Sequence, residues 1–134
     1  MKKYLIIGFL VLASRAFADG VDVFRKGLEA YQVNGPDALL RTWYGSEEQD
    51  QINDVRKHLL TTTQELGEVV GTEVFQPKNL GQHVQRVYGV IYFRKRPVWI
   101  RGEYYNIAGQ SGFISIEVSR NADDILPLEI GVAH

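Results

Sequence analysis

Residues 82–107, QHVQRVYGVIYFRKRPVWIRGEYYNI, decide the fold. Two runs rich in valine, isoleucine and tyrosine, 82–94 and 98–107, flank the tight polar turn Lys95-Arg96-Pro97. β-Branched and aromatic side chains suit a pleated, half-buried surface. A short turn between two such runs makes a hairpin, and hence antiparallel pairing. The pattern extends both ways. Residues 69–75 form an earlier β-rich run, loosened by Gly71 and ended by Pro77. Residues 113–119 form a later one, reached through the glycine-flanked turn Gly109-Gln110-Ser111-Gly112. Gly89 and Gly102 lie inside the long runs and predict bulges or bends. The expectation is a strongly curved antiparallel sheet of about four strands.

Upstream of Gly67 the apolar period changes from two to that of a helix. Asp22 is read as the cap of a first helix, with Phe24, Leu28 and Tyr31 on one face and Asn34-Gly35 as its stop. Pro36 suits the first position of a second, short helix, with Ala38, Leu39, Leu40 and Trp43 on its apolar side and Gly45 at its end. Ser46 is expected to open a third, with Glu47 and Glu48 in its first turn. Ile52, Val55, Leu59, Thr63 and Leu66 recur at three- or four-residue steps and form a core-facing stripe. Asp50, Asp54, Arg56 and Lys57 fall off that stripe with Glu47. Downstream, Asp123-Asp124-Ile125-Leu126-Pro127 reads as one helical turn. The fold class is therefore α+β, with three N-terminal helices packed on one face of a cone-like sheet.

The first eighteen residues read as an address. Lys2 and Lys3 precede an apolar run over residues 4–14, and Ala16-Phe17-Ala18 is a small-x-small site. This is the three-part pattern of a secretory signal peptide, with cleavage between Ala18 and Asp19. The run is shorter than the ~20 residues a membrane span needs, so no stable membrane anchor is expected after cleavage. Two regions follow, the signal peptide at 1–18 and one domain at 19–134. Loss of Lys2, Lys3 and Arg15 leaves 12 of the 15 basic residues against 16 acidic ones, a formal charge of −4. Nucleic acid and anionic membranes reward concentrated positive charge, so neither is expected as a partner. The chain has no cysteine. The domain must hold without disulfides, and a lipid anchor on cysteine, thiol chemistry and cysteine-ligated zinc are excluded. A bacterial protein exported to the periplasm or secreted is the simplest reading.

Three helices followed by a bent antiparallel sheet resemble the nuclear-transport-factor-2-like superfamily. This is the cystatin-like cone of ketosteroid-isomerase-like and polyketide-cyclase-like domains. The resemblance covers residues 23–127 and is carried by element order, by Tyr-Gly-Val-Ile-Tyr-Phe at 88–93 and by Asn-Ala-Asp-Asp-Ile-Leu-Pro at 121–127. Those segments are similar to small exported bacterial members of unassigned activity. The resemblance implies a fold that hosts enzymes, binders and assembly modules alike. It also implies dimerisation through the sheet.

Strand parity groups the side chains. Trp99, Arg101, Glu103 and Tyr105 share one face of their strand, and Val98, Ile100, Gly102 and Tyr104 the other. Val84, Arg86, Tyr88, Val90 and Tyr92 share a face of the preceding strand. In the last strand Ile114, Ile116 and Val118 are expected on one apolar face, with Phe113, Ser115, Glu117 and Ser119 opposite. The candidate ligand-binding set is Arg86, Tyr88, Trp99, Arg101, Glu103, Tyr105 and Glu117, gathered at a concave mouth as an apolar body with a few convergent polar groups. The competing account is a solvated face with cross-strand ion pairs worth ~0.2–1 kcal/mol each. A dimer face is a third, since arginine and aromatic residues are enriched at interfaces.

No catalytic residue, metal ligand or cofactor is assigned. His58, His83 and His134 have no metal-site spacing. Gly109-Gln110-Ser111-Gly112-Phe113 lacks the final glycine of a nucleophile elbow and joins two hairpin strands. Arg94-Lys95-Arg96 is a short basic cluster on a hairpin tip and is read as solvated. The leading functional expectation is an exported domain that binds a small, partly apolar ligand in its cone or a protein partner through its curved sheet. One alternative is a cofactor-free isomerase, cyclase or hydrolase, with Glu103 or Glu117 as base beside Tyr88 or Tyr104; that requires a buried carboxylate of raised pKa. The other is a purely structural homodimer whose cone is packed with its own aromatic side chains.

Overall fold

Helices precede strands along the chain, in a computed structural model that describes residues 20–45 and 50–127. The expected signal peptide with its Ala18–Asp19 cleavage site, the start of the third helix at Ser46 with Glu47 and Glu48, and His134 all lie outside the described residues. The first helix, α1, is described over residues 20–34. Phe24, Leu28 and Tyr31 are buried along it, as their spacing predicts. Asp22 is not its cap: residues 20 and 21 are already helical, and Asp22 instead pairs with Lys26 one turn on, at 3.1 Å. Gly35 ends α1 at φ 90°, a left-handed conformation that favours glycine.

α2 runs Pro36–Tyr44, with Pro36 in the first turn where its missing N–H costs nothing. It buries Pro36, Leu39, Leu40 and Trp43 and ends at Gly45, φ 66°, whose N–H donates to the Arg41 carbonyl at 2.8 Å. α3 is described over Asp50–Leu66. Ile52, Val55, Leu59 and Leu66 are buried on it, joined by Thr62; the expected Thr63 sits at the margin of this stripe and has a polar task. The Tyr31 hydroxyl donates to the Leu59 carbonyl at 3.0 Å and meets the Thr63 hydroxyl at 2.6 Å, tying α1 to α3. Burial pushes the Tyr31 phenol up to about 12 despite the Thr63 contact.

The strands are β1 Val69–Val74, β2 Lys78–Asn79, β3 Val84–Phe93, β4 Pro97–Ile107 and β5 Gln110–Ser119. All pair antiparallel in one curled sheet of order β1-β3-β4-β5, with two-residue β2 also on β3. β2 adds a fifth strand to the expected four. It is too short to show periodicity. The β4–β5 connection is also tighter than expected. Ile107 pairs with Gln110 across Ala108-Gly109, both at positive φ (52° and 80°), and Gln110-Ser111-Gly112 are already strand. Two successive positive φ angles mark the two-residue turn whose twist matches paired strands.

Gly89 and Gly102 do not mark bulges. Both are in regular register, and the irregularities fall between Val69 and Gly71 and opposite Glu103 and Tyr104. Their lack of a side chain serves packing: a Cβ on Gly89 would stand 2.9 Å from Leu28 and Phe24, and one on Gly102 3.0 Å from the Phe113 ring. The second irregularity also corrects the parity of β5. Glu103 faces Ser115 but Tyr104 faces Phe113, so Ile114 is the extra residue of a bulge. Phe113 therefore turns into the core with Ile116, while Ile114 is 50% exposed. The closing turn also shifts: a 3-10 helix at Ala122–Asp124, capped by the Asn121 side chain, replaces the expected turn at 123–127.

The core lies between the helices and one face of the sheet. Trp43 stacks on Phe24 at 5.2 Å between centroids and 6° between planes, with Phe113 against both and Tyr104 edge-on to Phe113. The Trp43 indole N–H donates to the Val23 carbonyl at 3.0 Å. That close approach needs Gly27, where an added Cβ would lie 2.1 Å from the indole nitrogen. Gly27→Ala should gain ~1 kcal/mol of helix propensity yet destabilise the domain by a net ~3 kcal/mol through overpacking. Urea unfolding followed by Trp fluorescence checks this; an unchanged or raised midpoint would contradict the packing described.

Candidate functional site

The cross-strand register sorts the candidate residues. Arg86 faces Glu103, Tyr88 faces Arg101, Val90 faces Trp99 and Val84 faces Tyr105, while Arg101 in turn faces Glu117 on β5. Directly paired residues share a face, so all seven candidates, Arg86, Tyr88, Trp99, Arg101, Glu103, Tyr105 and Glu117, lie on one side of the sheet. Gly89, their neighbour of opposite parity, looks onto Phe24 and Leu28 of α1. The candidates therefore occupy the face turned away from the helices. On the helix side, Phe24, Trp43, Tyr104 and Phe113 pack on one another.

The outer face has an apolar patch crossed by a polar ladder. Tyr88 and Val90 are each 1% exposed yet stand outside the main core cluster, as does Ile125 at 2%. Ile125 is carried by the chain that follows β5. The Arg101 guanidinium donates to the Ile125 carbonyl at 3.3 Å, and the Ser119 hydroxyl donates to Asp124 at 2.8 Å, so this turn is held against the sheet. Arg101 also pairs with Glu117. One arginine thus links β4, β5 and the closing turn. Sequence reasoning missed Ile125 as part of this surface, and it placed Ser115 and Ser119 on the face of Glu117 without including them in the candidate set. The apolar pair Ile125-Leu126 between two aspartates and a proline was the available signal for Ile125.

Arg86 donates to Glu103 at 2.9 Å, and the Ser115 hydroxyl donates to the other Glu103 oxygen at 3.0 Å. The Arg86 hydrogen bond holds the Glu103 carboxyl below its ordinary range; burial opposes this and Ser115 assists it. The same contact raises Arg86 further. A general base tuned for neutral pH needs the reverse shift, so Glu103 is arranged as a fixed anion. At the end of the ladder the Tyr92 hydroxyl donates to Glu73 at 2.7 Å, an interaction that raises the phenol's pKa.

The other motifs are structural. Arg94 pairs with Glu68, the Lys95 N–H donates to the Leu66 carbonyl at 3.0 Å, and Arg96 donates to the Arg120 carbonyl at 3.0 Å. The hairpin tip is thereby fastened to the α3–β1 junction and to the end of β5. His83 Nδ1 lies 3.0 Å from the Asn106 carbonyl, and His58 is exposed on α3. Among the described residues, no group of three or more metal-ligating side chains gathers, and no helix is long and apolar enough to cross a membrane. No protein-family profile matches the chain, and no curated protein matches it.

Glu103 gives a pH-dependent prediction. Its folded pKa is depressed, so its stabilisation is present above the unfolded glutamate value of ~4.3 and is lost as pH falls through the folded value. Glu103→Gln should cost ~1 kcal/mol at neutral pH. The gap between variant and parent should then close below pH ~4. Thermal melts across pH 3–7 read this, and a constant gap would refute it.

Proposed function

We propose that this chain is an exported, non-catalytic binding module that engages a protein partner through the outer face of its sheet. The observation that carries the reading is the division of aromatic side chains. Those facing the helices pack on one another, whereas Trp99 and Tyr105 stay half-buried beside Arg86, Arg101, Glu103 and Glu117. Aromatic residues and arginine are the types enriched where proteins meet. Tyr92, 38% exposed on the same face, extends this surface. Alternating charges on the ladder favour a partner of matching alternation over a uniformly charged polymer. Export rests on the three-part pattern of residues 1–18. The nuclear-transport-factor-2-like resemblance is kept as part of this reading, supported by the order of three helices and a curled antiparallel sheet.

Native mass spectrometry of the protein purified gently from a bacterial periplasm tests the proposal. The expected result is processed chains of 116 residues, matching cleavage after Ala18 of the 134-residue sequence, held with a second protein chain. That assembly should dissociate in Trp99→Ala and Tyr105→Ala variants whose far-ultraviolet circular dichroism is unchanged. Single chains carrying a small molecule that survives both substitutions would overturn the partner reading. An unprocessed N-terminus would overturn export.

A further inference from the structure

Two like charges stand side by side where β2 meets β3. Lys78 lies directly opposite Arg86 across that ladder, and Asn79 opposite Gln85. Directly opposed residues share a face, and like charges so placed are destabilising. The arrangement is nonetheless fixed. Gln85 Nε2 donates to Asn79 Oδ1 at 3.1 Å, and the Leu80 N–H donates to the Val84 carbonyl at 2.8 Å, which continues the register by one residue. Lys78 is exposed and makes no ion pair among the described residues. Arg86 is joined to Glu103, whose other oxygen accepts from Ser115. That carboxylate sits one strand beyond Arg86, so the row Lys78, Arg86, Glu103 keeps a net positive charge at its β2 end. A local rule broken without a stabilising return is a mark of a functional position.

Apolar side chains border the pair. By the same register Leu80 and Val84 share the outer face, and Val84 faces Tyr105, which alternates with Ile107 along β4. Leu80 is 37% exposed and Ile107 48%. Gly112, opposite Tyr105, adds no side chain, and a Cβ there would lie 4.0 Å from the Tyr105 ring. Exposed apolar surface rimmed by polar groups marks a site of interaction. Resting on the outer-face reading above, we propose that this corner anchors the partner: an apolar side chain of a different protein covers Leu80, Tyr105 and Ile107, and a neighbouring carboxylate of that protein pairs with Lys78 and Arg86. A carboxylate set against both cations converts their repulsion in the free chain into attraction for an acidic partner, and it rejects a basic one. A second copy of this chain does not supply it from the same face. Glu73, Glu103 and Glu117, the acids carried by the strands, are already bonded to Tyr92, Arg86 and Arg101.

Carbodiimide coupling, which joins a lysine amine to a carboxylate in contact with it, tests this on the assembly isolated from a bacterial periplasm. The expected product links Lys78 to an aspartate or glutamate of the partner. A product without that link, or a link from Lys78 to a second copy of this chain, would overturn the proposal. Lys78→Glu supplies an independent readout. It should weaken the assembly at least about tenfold while Tm stays level or rises, because the like-charge pair is gone. Lys57→Glu, on the exposed side of α3, should leave the assembly intact. Unchanged affinity in Lys78→Glu, or equal weakening in Lys57→Glu, would overturn the proposal. So would a loss of assembly matched by a fall in Tm, which would make Lys78 a structural residue. Dissociation by Trp99→Ala with no effect of Lys78→Glu would refute this anchor and leave the outer-face reading standing, whereas absence of any assembly would refute both.

Discussion

The Trp43 indole lies flat on Phe24 and against Gly27, and that contact locks α1 to α2 and gives Phe113 of the sheet a surface to pack on. A chain with no cysteine has only such packing to hold it. The stack is extended by Phe113 and Tyr104 from the sheet, so the aromatic side chains that could have lined a cone are spent on one another. Phe→Ala changes in cores of this kind cost ~3–5 kcal/mol. The space between helices and sheet is therefore where stability resides. The recognition surface we propose is the other side of the same sheet.

That second side is ordered but lightly held. Its ion pairs are half-exposed, and each is worth ~1 kcal/mol or less. What fixes it is the closing turn, where Arg101 reaches from the sheet to the Ile125 carbonyl while Ile125 is itself buried. Trp99 and Tyr105 flank this clamp on their own strand and remain half-buried. Aromatic side chains held in place beforehand lose little entropy on binding, which is how arginine and aromatic residues come to dominate interfaces.

Much of the fold was legible because local chemistry and global packing agree. Gly35, Gly45 and Gly67 all stand at positive φ at helix ends, where a glycine after an apolar stripe marks a stop. Phe24, Leu28 and Tyr31 keep helical spacing and are all buried. The parity of β3 and β4 correctly grouped the seven candidate residues on one face, since period two holds along an unbroken ladder. It failed only at the start of β5, where the bulge at Ile114 turns Phe113 into the core and leaves Ile114 outside, and no residue type announces it. Parity also says which side chains share a face and nothing of which face meets the helices. That was decided by Gly89 and Gly102, which admit Leu28, Phe24 and Phe113 so closely that only glycine fits. In sequence those same glycines read as bends. The juxtaposition of Lys78 and Arg86 left no sequence signal, because two-residue β2 is too short to announce its register.

We propose the outer sheet face as the working surface, with the helix-facing side as interior. Hydroxyl-radical footprinting of the protein in intact cells, beside the same protein purified to a single chain, tests it most directly. The two tryptophans stand on opposite sides of the sheet and serve as internal controls for each other. Recognition through the outer face requires that Trp99 and Tyr105 be oxidised less in cells than in the purified chain, with Trp43 protected equally in both. Equal oxidation of Trp99 in the two states, or protection in cells confined to Trp43, would contradict it.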